Sequence, residues 1–525
     1  MKDYSPNFNK KSRLIKAPEI TPRNATRLRE FDPATLGQRL ADILQIQTDF
    51  YPCFDWTFPP PLLSPAAQPC SPAELFSEPS VTPGKYSIYL HSPFCESLCS
   101  FCYYTVFPGK GIREADRYID YLLREMALYA GPLEGLECES VYFGGGTPTH
   151  LPAELLQRVF DGLRRHFDIA PDAEISVEAA PGTLPEDKVA LLHALGVNRL
   201  SYGIQSLDED LLAGLNRRYS VTVAMRELEQ ALRVFDNINV DTMYGFDTES
   251  DDALIRTLER FVGLGIPSLS IYALDKQRCG TNLSPEGPTR DELFYRKIDI
   301  FQRASAYLRD RGFSQVLQNI FVQPGRASYR HQLRRWENLP LVAMGIASQG
   351  YAPRKPYQNA VTLKSYYQCL DEGRLPLTTV DLLSPEMELA REVTSRLRFT
   401  AVPVAGVRDK YGVDLYSVYG DLIHTLTGLG LMSSDGDMLR LTPAAAPYNN
   451  IIPMLFAPDA FKEQLLGLPE EFLENYPIPH VMTRLGRTQS APITVKPPLA
   501  SDTDGMVPAR PAGQTPARAA DGCTG

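Results

Sequence analysis

The sequence predicts an α/β protein whose parallel strands alternate with helices along its middle part. Six short runs rich in β-branched and aromatic residues recur between residues 85 and 275, and the intervals between them have helical character. This alternation is typical of a parallel sheet flanked by helices, either open or closed into a barrel. Because ligands of such sheets bind at the carboxyl ends of the strands, the residues that follow each strand form the candidate site.

Size, composition and charge bound the class of protein. The chain has 525 residues, of which 43% are hydrophobic and 22% charged, which is typical of a soluble protein of two or three domains. Its net charge of −10 disfavours a nucleic-acid partner. No apolar run reaches the roughly 20 residues of a membrane span, and the basic amino terminus lacks the apolar stretch of a secretory signal. We therefore expect a cytoplasmic protein that acts on a small molecule, without a membrane partner.

The elements follow in order along the chain. A helix is predicted over 115–130, where tyrosine, leucine and methionine side chains recur near one face, and another over 185–196, which begins with proline and ends at glycine. The predicted strands are SIYL (87–90), SVYF (140–143), ISVE (175–178), RLSYGIQ (199–205), NVDTMYG (239–245) and SLSIYAL (268–274).

The segments on either side of the predicted sheet domain differ from it in composition. The amino-terminal part is rich in proline and serine, which predicts a loosely packed extension with one helix near 35–49. Two helices and a hairpin turning at Asp435-Gly436 resemble a winged-helix module. The last residues are rich in Pro, Ala, Gly and Thr and are expected to be disordered. The predicted boundaries are 1–83 for the extension, 84–375 for the sheet domain with its closing segment, 376–480 for the module and 481–525 for the tail.

Three of the nine cysteines cluster directly after the first predicted strand. Cys95, Cys99 and Cys102 have the spacing C-x3-C-x2-C, whereas the other six are scattered. Disulfides, a zinc site, an iron–sulfur cluster and plain burial are the alternatives. Structural zinc normally takes four ligands in paired knuckles, and there is no second cysteine pair. Three thiolates can hold three corners of an iron–sulfur cube and leave one iron open to a chelating ligand.

Polar or glycine residues follow the later strands. In GGGTPT, three glycines let backbone groups approach a ligand closely, and Gly144, Gly145 and Thr147 are the candidate site residues of this segment. Glu178 ends the third strand, and its carboxylate can accept hydrogen bonds from a ribose or an ammonium group. The next strand ends add Gln205, Arg217 and Asp241.

The cysteine spacing after a first strand resembles the radical S-adenosylmethionine (SAM) superfamily. This resemblance implies a partial (β/α)6 barrel and a 4Fe-4S cluster on Cys95, Cys99 and Cys102, whose open iron binds SAM. It also implies an electron donor such as flavodoxin or ferredoxin. In such enzymes the segment that matches Gly144, Gly145 and Thr147 contacts the methionine end of SAM.

From about residue 86 to 460 the chain resembles the oxygen-independent coproporphyrinogen III dehydrogenase family. The resemblance implies two SAM molecules, a winged-helix-like cover over the barrel mouth, and a closing segment at 329–351 in which Ile346 belongs to a backbone wall for SAM. The residues that it implies to line the two SAM molecules are Tyr89, Glu178, Gln205, Arg217 and Asp241.

Two positions depart from the known branches of that family. Tyr104 replaces a further cysteine of the dehydrogenase, and Tyr103 replaces the aspartate of the haem chaperones. We therefore interpret the chain first as a class C methyltransferase or cyclopropanase that modifies an unsaturated carbon of a natural product or tetrapyrrole. The alternatives are coproporphyrinogen decarboxylation, a haem-binding chaperone and a zinc-bound structural barrel. His331, which can titrate near neutral pH, and Tyr104 are the candidate proton-transfer residues.

Overall fold

The computed structural model describes residues 58–59, 64–102, 104–246, 249–274, 290–317, 319–399, 401–448, 452–458 and 461. The helix predicted near 35–49, the tail 481–525 and Tyr103 lie outside these ranges. The strands of the described part are β1 Lys85–Ser92, β2 Phe94–Cys95, β3 Phe107–Pro108, β4 Glu137–Gly145, β5 Ile169–Ala179, β6 Arg199–Gln205, β7 Asn237–Tyr244, β8 Ser268–Ala273, β9 Ser314–Leu317, β10 Ile320–Val322, β11 Leu341–Met344, β12 Gln349–Ala352, β13 Lys355–Asn359, β14 Leu377–Val380, β15 Ala401–Pro403, β16 Met432–Ser434 and β17 Met438–Leu441.

Helices connect these strands. The predicted helices over 115–130 and 185–196 correspond to α2 and α4 below. The described residues form α1 Pro72–Leu75, α2 Ile112–Ala130, α3 Ala153–His166, α4 Glu186–Ala194, α5 Glu209–Gly214, α6 Val221–Ala231, α7 Ala253–Gly263, α8 Arg290–Arg309, α9 Arg330–Arg335, α10 Leu363–Asp371, α11 Pro385–Phe399, α12 Val404–Tyr411 and α13 Leu415–Gly428.

A large, mostly parallel sheet forms the centre of the molecule. Its strand order is β14-β13-β12-β11-β1-β4-β5-β6-β7-β8-β10-β9. The six neighbouring strands β1, β4, β5, β6, β7 and β8 are parallel, and β11 joins β1 in parallel as well. All six predicted strands are present, and the predicted α/β fold with a six-stranded parallel unit is confirmed.

The two faces of the parallel strands differ in polarity. On β1, Ile88 and Leu90 belong to the apolar core beneath the helices, where Leu122 of α2 and Leu156 of α3 also pack. Because successive strand residues point to opposite faces, the alternate positions form the inner face. There the strands carry polar, buried side chains, namely Ser87, Ser140, Ser176, Ser201, Asn239 and Ser270. This polar inner face surrounds the space in which the candidate site lies.

The carboxyl-terminal module combines three helices with a small antiparallel sheet, and its likeness to a winged helix stays a prediction. Helices α11, α12 and α13 surround the small antiparallel sheet β15-β17-β16. The β16–β17 turn contains Gly436 at φ 90°, a left-handed conformation that favours glycine. A separate apolar core fills the module, with Val393, Val407, Leu422 and Leu439 among its members.

The bonds between the module and the sheet lie at the amino ends of the strands. The Tyr351 hydroxyl donates to Glu388 at 2.8 Å, and the Asn338 side chain donates to the Glu388 carbonyl at 2.7 Å. Arg396 forms an ion pair with Glu337 at 3.2 Å. Residues 337 and 338 precede β11, so these contacts lie opposite the carboxyl ends of the strands. The cover over the barrel mouth that the family resemblance implied stays a prediction, because residues 462–480 of the module lie outside the described ranges.

The described part of the amino-terminal extension packs against the sheet domain, contrary to the expectation of a loose segment. A capping box of Ser71 and Glu74 begins α1, and Leu75 is fully buried in the main core. Glu78 forms an ion pair with Arg354 at 3.0 Å. Among the described residues, no helix is both long and apolar enough to cross a membrane.

Candidate active site

The cysteine loop begins where β1 ends. Cys95, Cys99 and Cys102 are free and half-buried. Cys95 lies in β2, which pairs in parallel with β3, and its carbonyl accepts from the Gly109 amide at 3.2 Å. The Cys102 amide donates to the Cys99 carbonyl at 3.1 Å, which closes a turn between these two residues. All three thiols therefore belong to one loop at the carboxyl end of the first strand, as predicted.

A second segment supports the loop from the side. Asn216, at φ 56°, donates through its side chain to the Leu98 carbonyl at 2.6 Å. The Ser100 amide donates to the Leu215 carbonyl at 3.0 Å, and the Ser100 hydroxyl donates to the Gly214 carbonyl at 3.2 Å. Sequence reasoning missed Asn216, although an asparagine just after a short helix is a common sign of a left-handed turn.

The glycine-rich segment after β4 lies directly against the cysteine loop. The Gly146 amide donates to the Ser92 carbonyl at 2.6 Å, the Thr147 amide donates to the Phe94 carbonyl at 2.9 Å, and the Thr147 hydroxyl lies 3.7 Å from the Cys95 sulfur. A Cβ atom on Gly146 would lie 2.7 Å from the Phe94 carbonyl oxygen and 2.8 Å from the Cys95 sulfur. Gly146, the one glycine of the three that was not a candidate site residue, is thus the glycine that permits the close approach.

We expect Gly146→Ala to displace the cysteine loop, because backbone and sulfur atoms occupy the position of the new methyl group. Iron bound after anaerobic reconstitution should fall several-fold relative to the unsubstituted protein. Gly131→Ala is the matched control, since Gly131 ends α2 with a helical φ of −61° and no neighbour within 4 Å. Equal iron content in both variants would contradict this role of Gly146.

The donor set suits an iron–sulfur cluster better than a single ion. Burial raises the pKa of the Cys95 thiol to about 12 and that of Cys102 to about 11, so a cation is needed to hold them as thiolates. Within the described ranges, no three His, Cys, Asp or Glu side chains gather around one metal-ion position. A cluster takes its thiolates at separate iron corners, so its ligands need not converge on one point. Three soft sulfur donors therefore fit the predicted cluster.

Glu178 lies beside the glycine-rich segment at the end of β5. Its carboxylate accepts from the Tyr142 hydroxyl at 2.7 Å and from the Gly145 amide at 2.9 Å. A carboxylate has about four acceptor positions, so two remain for a ligand. Burial, with a smaller contribution from Asp241, raises the pKa of Glu178 to about 7. A Cβ on Gly144 would lie 2.8 Å from the Tyr142 ring and 2.9 Å from the Glu178 carboxyl carbon, so a larger residue there would displace these side chains.

The end of β6 and the segment after α5 bring Gln205 and Arg217 together. Gln205 is buried and has φ 72°, and both side chains approach Gly203, whose Cβ position lies 3.0 Å from Gln205 Nε2 and 3.9 Å from Arg217 Nη2. Arg217 also lies 5.5 Å from the ring of Phe101 in the cysteine loop. The Nε of Arg217 is buried without a hydrogen-bond partner, so its guanidinium can take a further acceptor.

Asp241 lies deeper on the polar inner face. Its carboxylate accepts from the Asn239 side chain at 2.8 Å and from the Ser201 hydroxyl at 3.2 Å. Burial raises its pKa above the ordinary aspartate value, against the opposing effects of these hydrogen bonds and of Arg199. Asp241 is therefore held in place by neighbouring strands and is half-buried toward the site.

Tyr89 and His91 connect the inner face to the start of the cysteine loop. The His91 ring lies 3.0 Å from the Thr105 carbonyl through Nε2 and 3.0 Å from the Tyr89 hydroxyl through Nδ1. Because a carbonyl can only accept, Nε2 carries the proton and the Tyr89 hydroxyl donates to Nδ1. Burial lowers the pKa of His91 to about 4, so the ring stays neutral.

Ile346 lies in a bend that follows β11, next to the end of β1. Gly345 has φ 97° and Ala347 φ 57°. The Ile346 amide donates to the Tyr118 hydroxyl at 3.0 Å, and the Gly345 amide donates to Glu125 at 2.8 Å. Both acceptors belong to α2. Sequence reasoning placed Tyr118 on an apolar helix face without assigning it to the site, and it did not select Glu125.

His331 lies at the amino end of the strands. Its ring stacks on Tyr142 at 5.1 Å, its Nδ1 lies 2.9 Å from the Ser140 hydroxyl, and its amide donates to Glu174 at 3.0 Å. Burial and the nearby arginines lower its pKa to about 3. The pocket therefore disfavours the charged form of this ring, and the lowered pKa lies below the near-neutral range expected from the sequence. Tyr104, by contrast, is 50% exposed on the cysteine loop. Proton transfer by either residue stays a prediction.

Comparisons with known proteins agree with this site. Residues 89–261 match the family model of the Radical SAM superfamily. A heme chaperone HemW of Mycobacterium tuberculosis is 30% identical over 372 residues, covering 69% of this chain and 92% of the relative. The oxygen-independent coproporphyrinogen III oxidase of Escherichia coli is 27% identical over 375 residues, covering 68% and 82%. The solved structure of HemN, the coproporphyrinogen III oxidase of Escherichia coli and a radical SAM enzyme, matches with a TM-score of 0.63 and 26% identity, over 70% of this chain and 89% of that one.

The fold, the cysteine loop and the matched family model define a radical SAM enzyme. Within that class, the chain belongs to the family that contains HemW and the oxygen-independent coproporphyrinogen III oxidase. Membership implies a 4Fe-4S cluster and SAM. These relatives lend no support to the class C methyltransferase branch that we favoured from Tyr103 and Tyr104.

Proposed function

We propose that this protein binds a 4Fe-4S cluster and SAM at the carboxyl ends of β1, β4 and β5 and acts on a tetrapyrrole of the porphyrinogen type. The observation that carries the proposal is the position of Glu178, whose two bonded neighbours hold it over the same glycine-rich segment that touches Cys95. The substrate class is supported by the relatives, whose names refer to haem and to coproporphyrinogen.

When bound, the cluster and SAM supply one-electron cleavage of SAM to methionine and a 5′-deoxyadenosyl radical. In our proposal an electron donor such as flavodoxin or ferredoxin provides the electron. The residues of the chain itself bind and orient the cluster and SAM. Cys95, Cys99 and Cys102 hold the cluster, while Gly144, Gly145 and Thr147 present backbone and hydroxyl groups to the methionine end of SAM. Glu178 offers its free acceptor positions to a ribose or an ammonium group.

The remaining predicted residues have roles on the polar inner face. Gln205 and Arg217 lie over Gly203 next to the cysteine loop, and the unpaired Nε of Arg217 suits a carboxylate acceptor. Asp241 and Tyr89 lie deeper, and Ile346 contributes the bend after β11. We propose that this set is large enough for a second SAM beside the first, a stoichiometry that equilibrium dialysis measures directly.

A second candidate function is haem binding and delivery. The Mycobacterium tuberculosis relative, named a heme chaperone, is matched over 92% of its length. In this reading the cluster site is kept while SAM turnover stays at background. Methyl or methylene transfer and cyclopropanation, our first interpretation of the sequence, enter the experiment below as a third outcome.

Product analysis separates the three functions. The protein is reconstituted and reduced anaerobically and given methyl-deuterated SAM with coproporphyrinogen III, with haem, or with neither. We expect coproporphyrinogen III to raise unlabelled 5′-deoxyadenosine at least several-fold, with methionine and without S-adenosylhomocysteine. Stoichiometric haem binding with no porphyrinogen effect would favour the chaperone. S-adenosylhomocysteine together with deuterium in 5′-deoxyadenosine would establish methyl or methylene transfer instead.

A further inference from the structure

One helix of the molecule contacts both the start of the cysteine loop and the bend after β11. The Tyr118 hydroxyl of α2 donates to the His91 carbonyl at 2.7 Å and accepts from the Ile346 amide at 3.0 Å. His91 lies four residues before Cys95. A single hydroxyl group thus joins the backbones of two segments that are more than 250 residues apart in the chain.

Seven residues further along α2, Glu125 holds the other side of the same bend. Its carboxylate accepts from the Gly345 amide at 2.8 Å, from the Asn359 side chain at 2.7 Å and from the Tyr366 hydroxyl at 2.6 Å. The Asn359 side chain donates to the Gly345 carbonyl at 3.0 Å as well. Both backbone groups of Gly345 are therefore bonded to buried side chains.

Burying Glu125 and bending the backbone at Gly345–Ala347 both destabilise the fold. We infer that these contacts fix the position of the bend rather than add stability. Glu125 is fully buried without a cationic partner among its hydrogen-bond donors, and burial raises its pKa to about 7. The bend itself contains two positive-φ residues, of which Ala347 at φ 57° carries a Cβ. An apolar residue at 125 would pack against the surrounding core but leave the Gly345 amide without an acceptor.

The Tyr118 hydroxyl and the His91 carbonyl lie directly against Gly345, so the Gly345–Ala347 bend cannot move closer to β1. A Cβ on Gly345 would lie 2.5 Å from the Tyr118 hydroxyl and 2.8 Å from the His91 carbonyl oxygen. The Tyr118 ring is itself fixed, since it stacks on Tyr366 at 5.6 Å and meets Phe94 edge-on at 5.5 Å. Phe94 directly precedes Cys95.

We propose that Tyr118 and Glu125 are positioning residues that set the distance between the cysteine loop and the Gly345–Ala347 bend, so that one SAM molecule can contact both. This inference rests on the proposed function, in which the cluster holds one end of SAM and the Ile346 bend contacts another part of it. Neither residue touches SAM in this arrangement. Their effect passes through the His91 and Ile346 backbones.

Tyr118→Phe tests the proposal, because it removes both bonds of the hydroxyl and keeps the ring. Because the two backbones are then no longer joined by this hydroxyl, we expect the SAM dissociation constant and KM to rise by roughly tenfold, which corresponds to about 1.4 kcal/mol. Iron content and kcat at saturating SAM should change by less than about twofold. In the unloaded protein, hydrogen exchange of the Ile346 amide should become faster.

The matched control is Tyr121→Phe. Tyr121 lies on the same helix, but its hydroxyl donates to Asp371 of α10 and does not contact the bend. A second variant, Glu125→Gln, tests the other contact, because its amide would face the Asn359 donor, and it should also weaken SAM binding and speed Gly345 exchange. SAM affinity within twofold of the unsubstituted protein in both Tyr118→Phe and Glu125→Gln would overturn the inference. So would an equal loss in Tyr121→Phe. If the unsubstituted, cluster-loaded protein binds no SAM, the proposed function fails, and this inference fails with it.

Discussion

Replacing Cys95, Cys99 or Cys102 with alanine is expected to abolish cluster binding and SAM cleavage in each case. Three thiolates on one loop leave no spare ligand, and the described residues place no other cysteine in that loop. Because burial raises the pKa of Cys95 and Cys102, and the neighbouring thiols raise it further, both thiolates depend on the bound iron. Losing one should therefore remove the site as a unit rather than weaken it by a third.

Iron, acid-labile sulfide and zinc are measured on anaerobically reconstituted protein, together with 5′-deoxyadenosine after reduction. Iron, sulfide and 5′-deoxyadenosine should all fall to background in the three variants. Cys369→Ala is the matched control, since Cys369 is also half-buried but lies on α10 and should keep full iron content. Zinc without labile sulfide in the unsubstituted protein would instead support the structural zinc barrel.

The sheet was predictable because its signal is local. Each parallel strand has an unbroken apolar face toward the helices, and β-branched or aromatic residues fill it over four to eight positions in the sequence. The opposite face carries Ser87, Ser140 and Ser201 at alternate positions. Glu178, Gln205 and Asp241 were selected from another local feature, their positions toward the ends of successive predicted strands.

The missed residues act through contacts between distant segments. Gly146 is required because the Cys95 sulfur lies so close to it. Asn216 is required because its side chain donates to a carbonyl of the cysteine loop. Neither distance can be derived from local pattern. Glu125 gave a signal that could have been used, because an ionisable residue within the apolar face of α2 needs buried partners.

The packing of the module and of His331 could not be derived from the sequence, for a related reason. Both depend on which end of the strands a segment packs against, which the segment's own sequence does not encode. His331 packs at the amino end between Ser140 and Tyr142, where burial keeps its ring neutral. The candidate site lies at the other end, as the carboxyl-end rule for parallel sheets predicts.

Glu178→Gln is expected to have the largest effect among the SAM-binding residues. The substitution keeps the shape of the side chain but removes its charge and replaces one acceptor oxygen with a donor. The remaining oxygen can still accept from the Gly145 amide and the new amide can donate to the Tyr142 hydroxyl oxygen, so the loss falls on the anionic acceptor offered to SAM. Hydrogen bonds to a charged group are worth about 1.5–3 kcal/mol. We therefore expect SAM affinity to fall by roughly 10- to 100-fold, while iron content stays unchanged because Glu178 is not a cluster ligand.

The pH dependence of SAM affinity tests the role of Glu178 more specifically than the affinity at a single pH. Burial raises the pKa of Glu178 to about 7 in the protein without SAM, and SAM, a cation, favours the ionised carboxylate. SAM affinity should accordingly be constant above pH 7 and decline as the pH falls below it, by at most about tenfold per unit. Glu125 also titrates near pH 7, so Glu125→Gln is measured in parallel. Glu178→Gln should remove most of the decline, and Glu125→Gln should retain it.

The thermal stability of Glu178→Gln distinguishes a role of Glu178 in SAM binding from a role in the fold. The folded-state pKa of Glu178 lies above the unfolded value of 4.5, so the ionised, buried form destabilises the fold as the pH rises from 4.5 to 7. Glu178→Gln removes this destabilising charge. At pH 8 its melting temperature should therefore be no lower than that of the unsubstituted protein. A clear drop in melting temperature together with unchanged SAM affinity would assign Glu178 to the fold, through Gly145 and Tyr142, and not to SAM.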